Sequence, residues 1–182
     1  KRRLKKNREL YNKHEGGRAF LLCTGESLHH IDIEKLNHEF TYGTNLLFLH
    51  DDFPEVNLDY YVYLDTPRSF YPNMPQWPKT QLGSLGNKPI RQIYEKIDKR
   101  IQQETQLILN SECFKFTNGL FDYNKKFFAK VTKNLNLNNE IPYNILADIS
   151  KRRLCGGGTI FFSILIMIYM GFKEIYLCGS GY

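Results

Sequence analysis

The stretch "FLLCTGESLHHIDIEKL", Phe20 to Leu36, decides how the rest of the chain is read. Its first four residues are apolar, and with Ala19 before them they have the signature of a short strand buried on both faces. Thr24-Gly25-Glu26-Ser27 then interrupts the run. Behind it, Leu28, Ile31 and Leu36 make a loose apolar stripe, and Ser27 is a residue type that caps helices. A buried strand, a small polar turn and a helix start together open an α/β fold. In such folds ligands bind beyond the carboxyl ends of the strands. The same residues also build ordinary turns and caps, so the turn alone does not identify a phosphate site.

Similar units recur along the chain. Phe40 to Asn45 reads as a second strand, and "LDYYVYLDTP", Leu58 to Pro67, as a third, aromatic and β-branched and closed by Asp65 and Pro67. A proline-rich loop with Trp77 follows, of a length common in lids and substrate walls and in ordered surface insertions. Ile90, Ile93, Ile97 and Ile101 carry helical spacing. Leu107 to Leu109 reads as a short strand and Ile145 to Ile149 as a weak one, with the segment rich in Asn, Lys and Phe between them unassigned. Cys155 to Met170 is a glycine cluster followed by a buried helix, Gly171 ends that helix, and Glu174 to Cys178 is a strand. The pattern predicts an α/β, Rossmann-like single domain, a mostly parallel sheet with helices on both faces.

The net charge of +6 is local. Lys1, Arg2, Arg3, Lys5, Lys6 and Arg8 precede the first acid, and the remaining 19 basic residues balance 19 acids. Residues 1–17 are therefore expected to form a basic helical leader, with a helix over Leu4 to Lys13, ahead of a nucleotide-binding domain over 18–182. Such a run either touches anionic lipid at the periphery of a membrane, or RNA, or is simply solvated. With a neutral body, nucleic acid is not the expected partner. The 4 cysteines form no CxxC pair, which indicates neither zinc nor a disulfide framework and fits a reducing, cytoplasmic setting. The apolar run Thr159 to Met170 is too short for a span of about 20 residues. The chain stops at Tyr182, directly after a strand, so it is expected to be cut short at its carboxyl end.

Several clusters fall where a parallel sheet would gather them. Gly25 allows a tight turn, and Ser27 offers a hydroxyl and an N–H at an expected helix start, where the helix dipole favours an anion. Gly157, Gly158 and Thr159 repeat that arrangement before the buried helix. Asn45 suits a base or sugar, or ends its strand. Asp65 suits Mg²⁺ or a ribose hydroxyl, or makes a turn before Pro67. Gly179 follows the last strand. His29 and His30, near the first loop, read as surface residues. There is no Walker loop, complete GxGxxG, GxSxG, HExxH or paired-carboxylate spacing.

"AFLLCTGESL", "FTYGTN" and "DYYVYLD", with the closing "GGGTIFFSILIMIYMGFKEIYLCGSGY", resemble the MptE-like 6-hydroxymethylpterin diphosphokinase family. The same blocks are similar to those of bacterial CMP-sialic acid-dependent sialyltransferases, which decorate surface oligosaccharides. The resemblance covers both ends of the chain and leaves roughly Arg68 to Arg153 unmatched. It implies a Rossmann-like sheet on which Thr24, Gly25 and Ser27 contact the phosphates or ribose of a nucleotide. Asn45 would then face the nucleotide or the transferred group, Gly157, Gly158 and Thr159 would close the opposite side, and Tyr182 would stand near the leaving phosphate. Glu26 occupies the family's usual proline position, and Gly181 stands where both groups often have aspartate.

The expected activity is a nucleotide-sugar-dependent glycosyltransferase of surface-glycan synthesis, acting on a glycan acceptor with a nucleotide-sugar donor, of which a CMP-linked one is a candidate. Its expected place is the cytoplasm, at the inner face of the membrane. A Mg²⁺-dependent pyrophosphoryl transferase using ATP is the alternative, and a degenerate nucleotide-binding domain a third reading.

Overall fold

A computed structural model describes residues 2–50, 53, 57–65, 91–132, 147–151, 153–155 and 157–181. The strands are β1 (Arg18–Leu22), β2 (Phe40–Thr44), β3 (Tyr60–Tyr63), β4 (Gln106–Asn110), β5 (Lys126–Thr132), β6 (Arg153–Cys155) and β7 (Glu174–Cys178). They form one 7-stranded sheet in the order β6-β5-β4-β3-β2-β1-β7. Every pair is parallel, where sequence suggested a mostly parallel sheet. Register around β1 is set by Leu22 opposite both Gly43 of β2 and Cys178 of β7. The order places all carboxyl ends on one edge and reverses direction at β1: the chain steps away through β2 to β6, then crosses to pair β7 on the far side.

Both faces are apolar, and strict alternation still divides the strands between them. Leu21, Tyr42, Tyr60, Val62 and Ile108 face one core, which is covered by α3 (Thr159–Tyr169) through Phe162, Leu165, Ile166 and Tyr169. Leu22, Tyr61, Tyr63, Leu107 and Leu109 face the other, covered by Ile93, Tyr94 and Ile97 of α2 (Arg91–Arg100) and by Leu28, Leu36, Leu47 and Phe48. Tyr42 stacks on Tyr60 at 4.7 Å, and its hydroxyl donates to the Met170 sulfur at 3.1 Å, tying the sheet to the end of α3.

The first loop corrects the sequence reading. No α-helix follows β1. Two 3-10 turns take its place, Glu26–His30 and Ile33–Leu36, and neither has a side-chain cap. Ser27 lies inside the first of these turns, and the extended residue before it is Gly25. The apolar stripe fails to sustain a helix because Leu28, Ile31, Ile33 and Leu36 are broken by Asp32, whose extended backbone separates the turns. The weak strand expected at Ile145 to Ile149 is a turn in its described part, 147–149. The proline-rich loop with Trp77 lies outside the described residues.

Residues 2–17 are part of the body. α1 (Arg2–Lys5) passes into a 3-10 turn, Lys6–Leu10, where sequence suggested one helix from Leu4 to Lys13. A 3-10 turn has about three residues per turn, so Asn7 and Leu10 fall on one inward side. Asn7 and Leu10 are fully buried. The Asn7 amide donates to the carbonyls of Phe128, at 2.8 Å, and Ile149, at 2.9 Å. Beyond it, the N–H groups of Asn12, His14 and Gly16 donate to Tyr169, Met170 and Gly171, clipping the segment to the end of α3.

Candidate functional site

The strand order reverses at β1, a topological switch point flanked by the loops leaving β1 and β7. The two loops are joined by backbone bonds. Cys23 donates to Cys178 at 2.7 Å, and Gly25 to Gly179 at 2.7 Å, carrying the ladder past the ends of the strands. Gly25 has ordinary extended dihedrals, so its constraint is space. A Cβ there would lie 2.4 Å from the Gly181 carbonyl oxygen and 2.5 Å from that of Gly179. Gly179 is left-handed, with φ +71, and its own Cβ would meet Leu28 at 2.8 Å. Gly181 faces the Ser27 hydroxyl, 3.4 Å from the Cβ position.

This close fit changes the roles expected from sequence. The Gly25 N–H is engaged by Gly179 and does not point at an anion. With no α-helix after β1, the helix dipole that would have favoured a phosphate at Ser27 is missing too. The loop still presents the half-buried Ser27 hydroxyl beside Gly181, with Thr24, Glu26 and Ser180 exposed around it.

The second glycine cluster divides in two. At Gly157 the side chain of Phe161 stands 2.7 Å from the Cβ position, so this glycine makes room for a neighbour rather than for a ligand. Gly158 has no atom within 4 Å of its Cβ position and is exposed. It occupies the cap position of α3 with φ -84, no side chain caps the helix, and its first turn carries no acid. Gly158 and Thr159 thus start an 11-residue helix with open N–H groups, an arrangement that favours anions. This start lies on the same sheet edge as the first loop, whereas the direct contacts of that loop are with Gly179 and Gly181.

Asn45 follows β2 in the left-handed conformation, φ 55, which asparagine tolerates better than most residues. Its carbonyl accepts from the Tyr61 hydroxyl at 2.7 Å, so its observed contact is that of a turn. Asp65 lies just past β3, half-buried, and its carbonyl accepts from Cys113 Sγ at 3.4 Å. Tyr182 lies outside the described residues. Two features of this edge escaped the sequence reading. Asn110, fully buried, ties β4 to β3 by donating to the Leu64 carbonyl at 2.9 Å. His29 and His50 bring their rings to 4.3 Å, joining the loops after β1 and β2. Neither has a local sequence signal, because each depends on pairing distant segments.

The described thiols of this edge are not poised as nucleophiles. Burial pushes the Cys23 and Cys113 thiols up to about 11, and Cys178 is raised by the same cause. Cys23 faces the α3 core and Cys178 the opposite one, so these neighbours in the ladder do not meet through their side chains. Two open hollows lie at the amino edge instead. The larger, about 550 Å³, is bordered by His38, Glu39, Asp59 and Gln106. Two of its acids already have structural partners: Glu39 pairs with Arg18, and Asp59 accepts from the Thr41 N–H at 2.9 Å.

Among the described residues no group of three His, Cys, Asp or Glu side chains could hold a metal ion, and no helix is long and apolar enough to cross a membrane. The chain matches no protein-family model, no curated protein and no solved structure.

Proposed function

We propose that the chain is a nucleotide-dependent transferase, and specifically a sialyltransferase-like glycosyltransferase of surface-glycan synthesis, working in the cytoplasm on a nucleotide-sugar donor and a glycan acceptor. The observation that carries this reading is the strand order, which puts the β1 and β7 loops on either side of a switch point. The resemblance of "CTGESL" and "GGGTIFF" to the nucleotide-binding blocks of those enzymes supports it from the same residues.

In this reading the Ser27 hydroxyl and the N–H groups at Gly158 and Thr159 hold the phosphate side of the donor. They stabilise the charge that builds on the departing phosphate, the usual function of preorganised donors aimed at a leaving group. Asn45 and Asp65, on the edge between these two sites, face the sugar or base, and the resemblance gives Tyr182 a role at the leaving phosphate. Glu26 is exposed and turns its charge to solvent, so the repulsion it would impose on a phosphate is screened. Mg²⁺ chemistry of the diphosphokinase kind needs carboxylates converging on Asp65. Among the described residues no three His, Cys, Asp or Glu side chains gather there.

Binding of CMP, UDP, GDP and ATP, each with and without Mg²⁺, tests the proposal when followed by melting temperature and amide chemical shifts. A CMP- or UDP-selective rise, with shifts at Ser27, Gly158 and Gly181, is the expected result. Ser27→Ala should weaken that binding about tenfold, the value of a hydrogen bond to a charged group. A shift that appears only with ATP and Mg²⁺ would transfer the chain to the pyrophosphoryl reading, and no response to any nucleotide would overturn both.

A further inference from the structure

The basic residues near the start of the chain are held in fixed positions. Asn7 and Leu10 are buried beneath the segment, while its other residues from Lys5 to Tyr11 are exposed. Arg3, Lys5, Lys6 and Arg8 are all exposed. The only acid among them, Glu9, is neutralised by Lys125 at 2.8 Å. Among the described residues none of those four cations makes an ion pair. A flexible, solvated tail would hold its backbone nowhere; this one is pinned by two buried hydrogen bonds from Asn7. The stripe ends in exposed aromatics, Phe114 at 41% and Tyr11 at 62%.

We propose that this stripe is a docking surface for an anionic lipid bilayer. Cations clustered on one face, with aromatic rings at its margins, match a headgroup layer: ammonium and guanidinium groups meet lipid phosphates, and ring bodies settle at the interfacial level. The same charges would attract a nucleic acid, but single strands are held by stacking on free ring faces. Here the Phe114 face is taken by the Arg3 guanidinium, 3.3 Å from its centroid, and Tyr11 packs against Tyr169 at 5.3 Å. The rest of the chain is electrically balanced, so the net positive charge comes from this segment. The inference does not depend on the donor or on the transfer reaction.

Co-sedimentation of the whole chain with phosphatidylcholine vesicles, with and without one part in three phosphatidylserine, is the test. Binding is expected only with phosphatidylserine, and it should be lost as salt rises from about 0.1 M to about 1 M, where screening shortens to about 3 Å. Combined Arg3→Gln, Lys5→Gln, Lys6→Gln and Arg8→Gln should lower the partition coefficient by roughly a hundredfold or more, at about fivefold per cation. These changes leave Leu4, Asn7 and Leu10 in place, and an unchanged melting temperature checks that the fold survives. A control removing the same charge elsewhere, Lys35→Gln, Lys96→Gln, Lys99→Gln and Lys173→Gln, should bind as the parent does. Equal loss in both variants, equal binding to neutral vesicles, or tight binding to single-stranded RNA without binding to phosphatidylserine would each overturn the proposal.

Discussion

A Cβ on Gly25 would collide with two carbonyl oxygens, whereas one on Gly158 would enter open space. The two glycines therefore predict opposite behaviour. Gly25→Ala must push the β1 and β7 loops apart, and a loss of about 1–3 kcal/mol in urea unfolding is expected. Gly158→Ser puts a preferred capping side chain at the head of α3, and a gain of about a few tenths of a kcal/mol is expected. If the open N–H groups there hold a donor phosphate, the same serine lowers nucleotide affinity while raising the melting temperature, a split that a purely structural glycine would not show.

His14 has a pH-dependent role at the same scale. Its Nε2 and the Lys13 ammonium both lie 2.8 Å from the Tyr60 hydroxyl oxygen. Lysine can only donate, so the Tyr60 proton is free to go to a neutral His14. Burial, with Lys13 adding to it and Asp59 opposing, holds the folded imidazole below its ordinary pKa. The unfolded chain thus takes up the proton first. The stability contribution is whole above about pH 6.5 and is lost as pH falls from there towards the lowered folded value. The melting temperature should fall over that window, and His14→Gln, which keeps an acceptor without a titration, should flatten the fall.

At the scale of elements, legibility followed the strength of the local pattern. β1 and β7 were plain because continuous apolar runs ended at glycines, and α3 because apolar residues filled all its sides. β5 was hidden: "KFFAKVT" carries a lysine at its start and another inside a segment full of Asn and Lys, and only its pairing with β4 makes it a strand. β6 has three residues and begins on the second of two arginines, so only its ladder to β5 defines it. The expected N-terminal helix failed for a different reason. Asn7 is a poor helix former whose amide is claimed by β5 and by Ile149, and the tighter turn is what brings it there. Asn7→Ala leaves two carbonyls without that donor. A loss of about 1–3 kcal/mol is expected, with faster hydrogen exchange at Asn12, His14 and Gly16, whose bonds hold the same segment.

For the whole molecule, the sheet order could not be taken from any single stretch. Alternation of strands and helices gave the α/β class and the shared carboxyl edge, which was enough to gather the candidate residues on one side. Placement of β7 beside β1 required the fold, and with it the direct packing of Gly25, Gly179 and Gly181. Sequence treated Gly25, Gly157 and Gly158 alike as potential phosphate contacts; packing reserves Gly25 and Gly157 for neighbouring atoms and leaves Gly158 open.

Asn7 has one more effect, on how copies of the chain behave together. β6 pairs only with Lys130 to Thr132, so on that side the first half of β5 has no strand neighbour among the described residues, and the Asn7 amide takes the place of one at Phe128. An uncovered strand edge is a template for a second chain. Removing residues 1–10 should therefore do more than lower stability: light scattering at moderate concentration is expected to show growing oligomers, while the intact chain stays unassociated. The segment that presents positive charge on its outer side would then be, on its inner side, a guard against self-assembly.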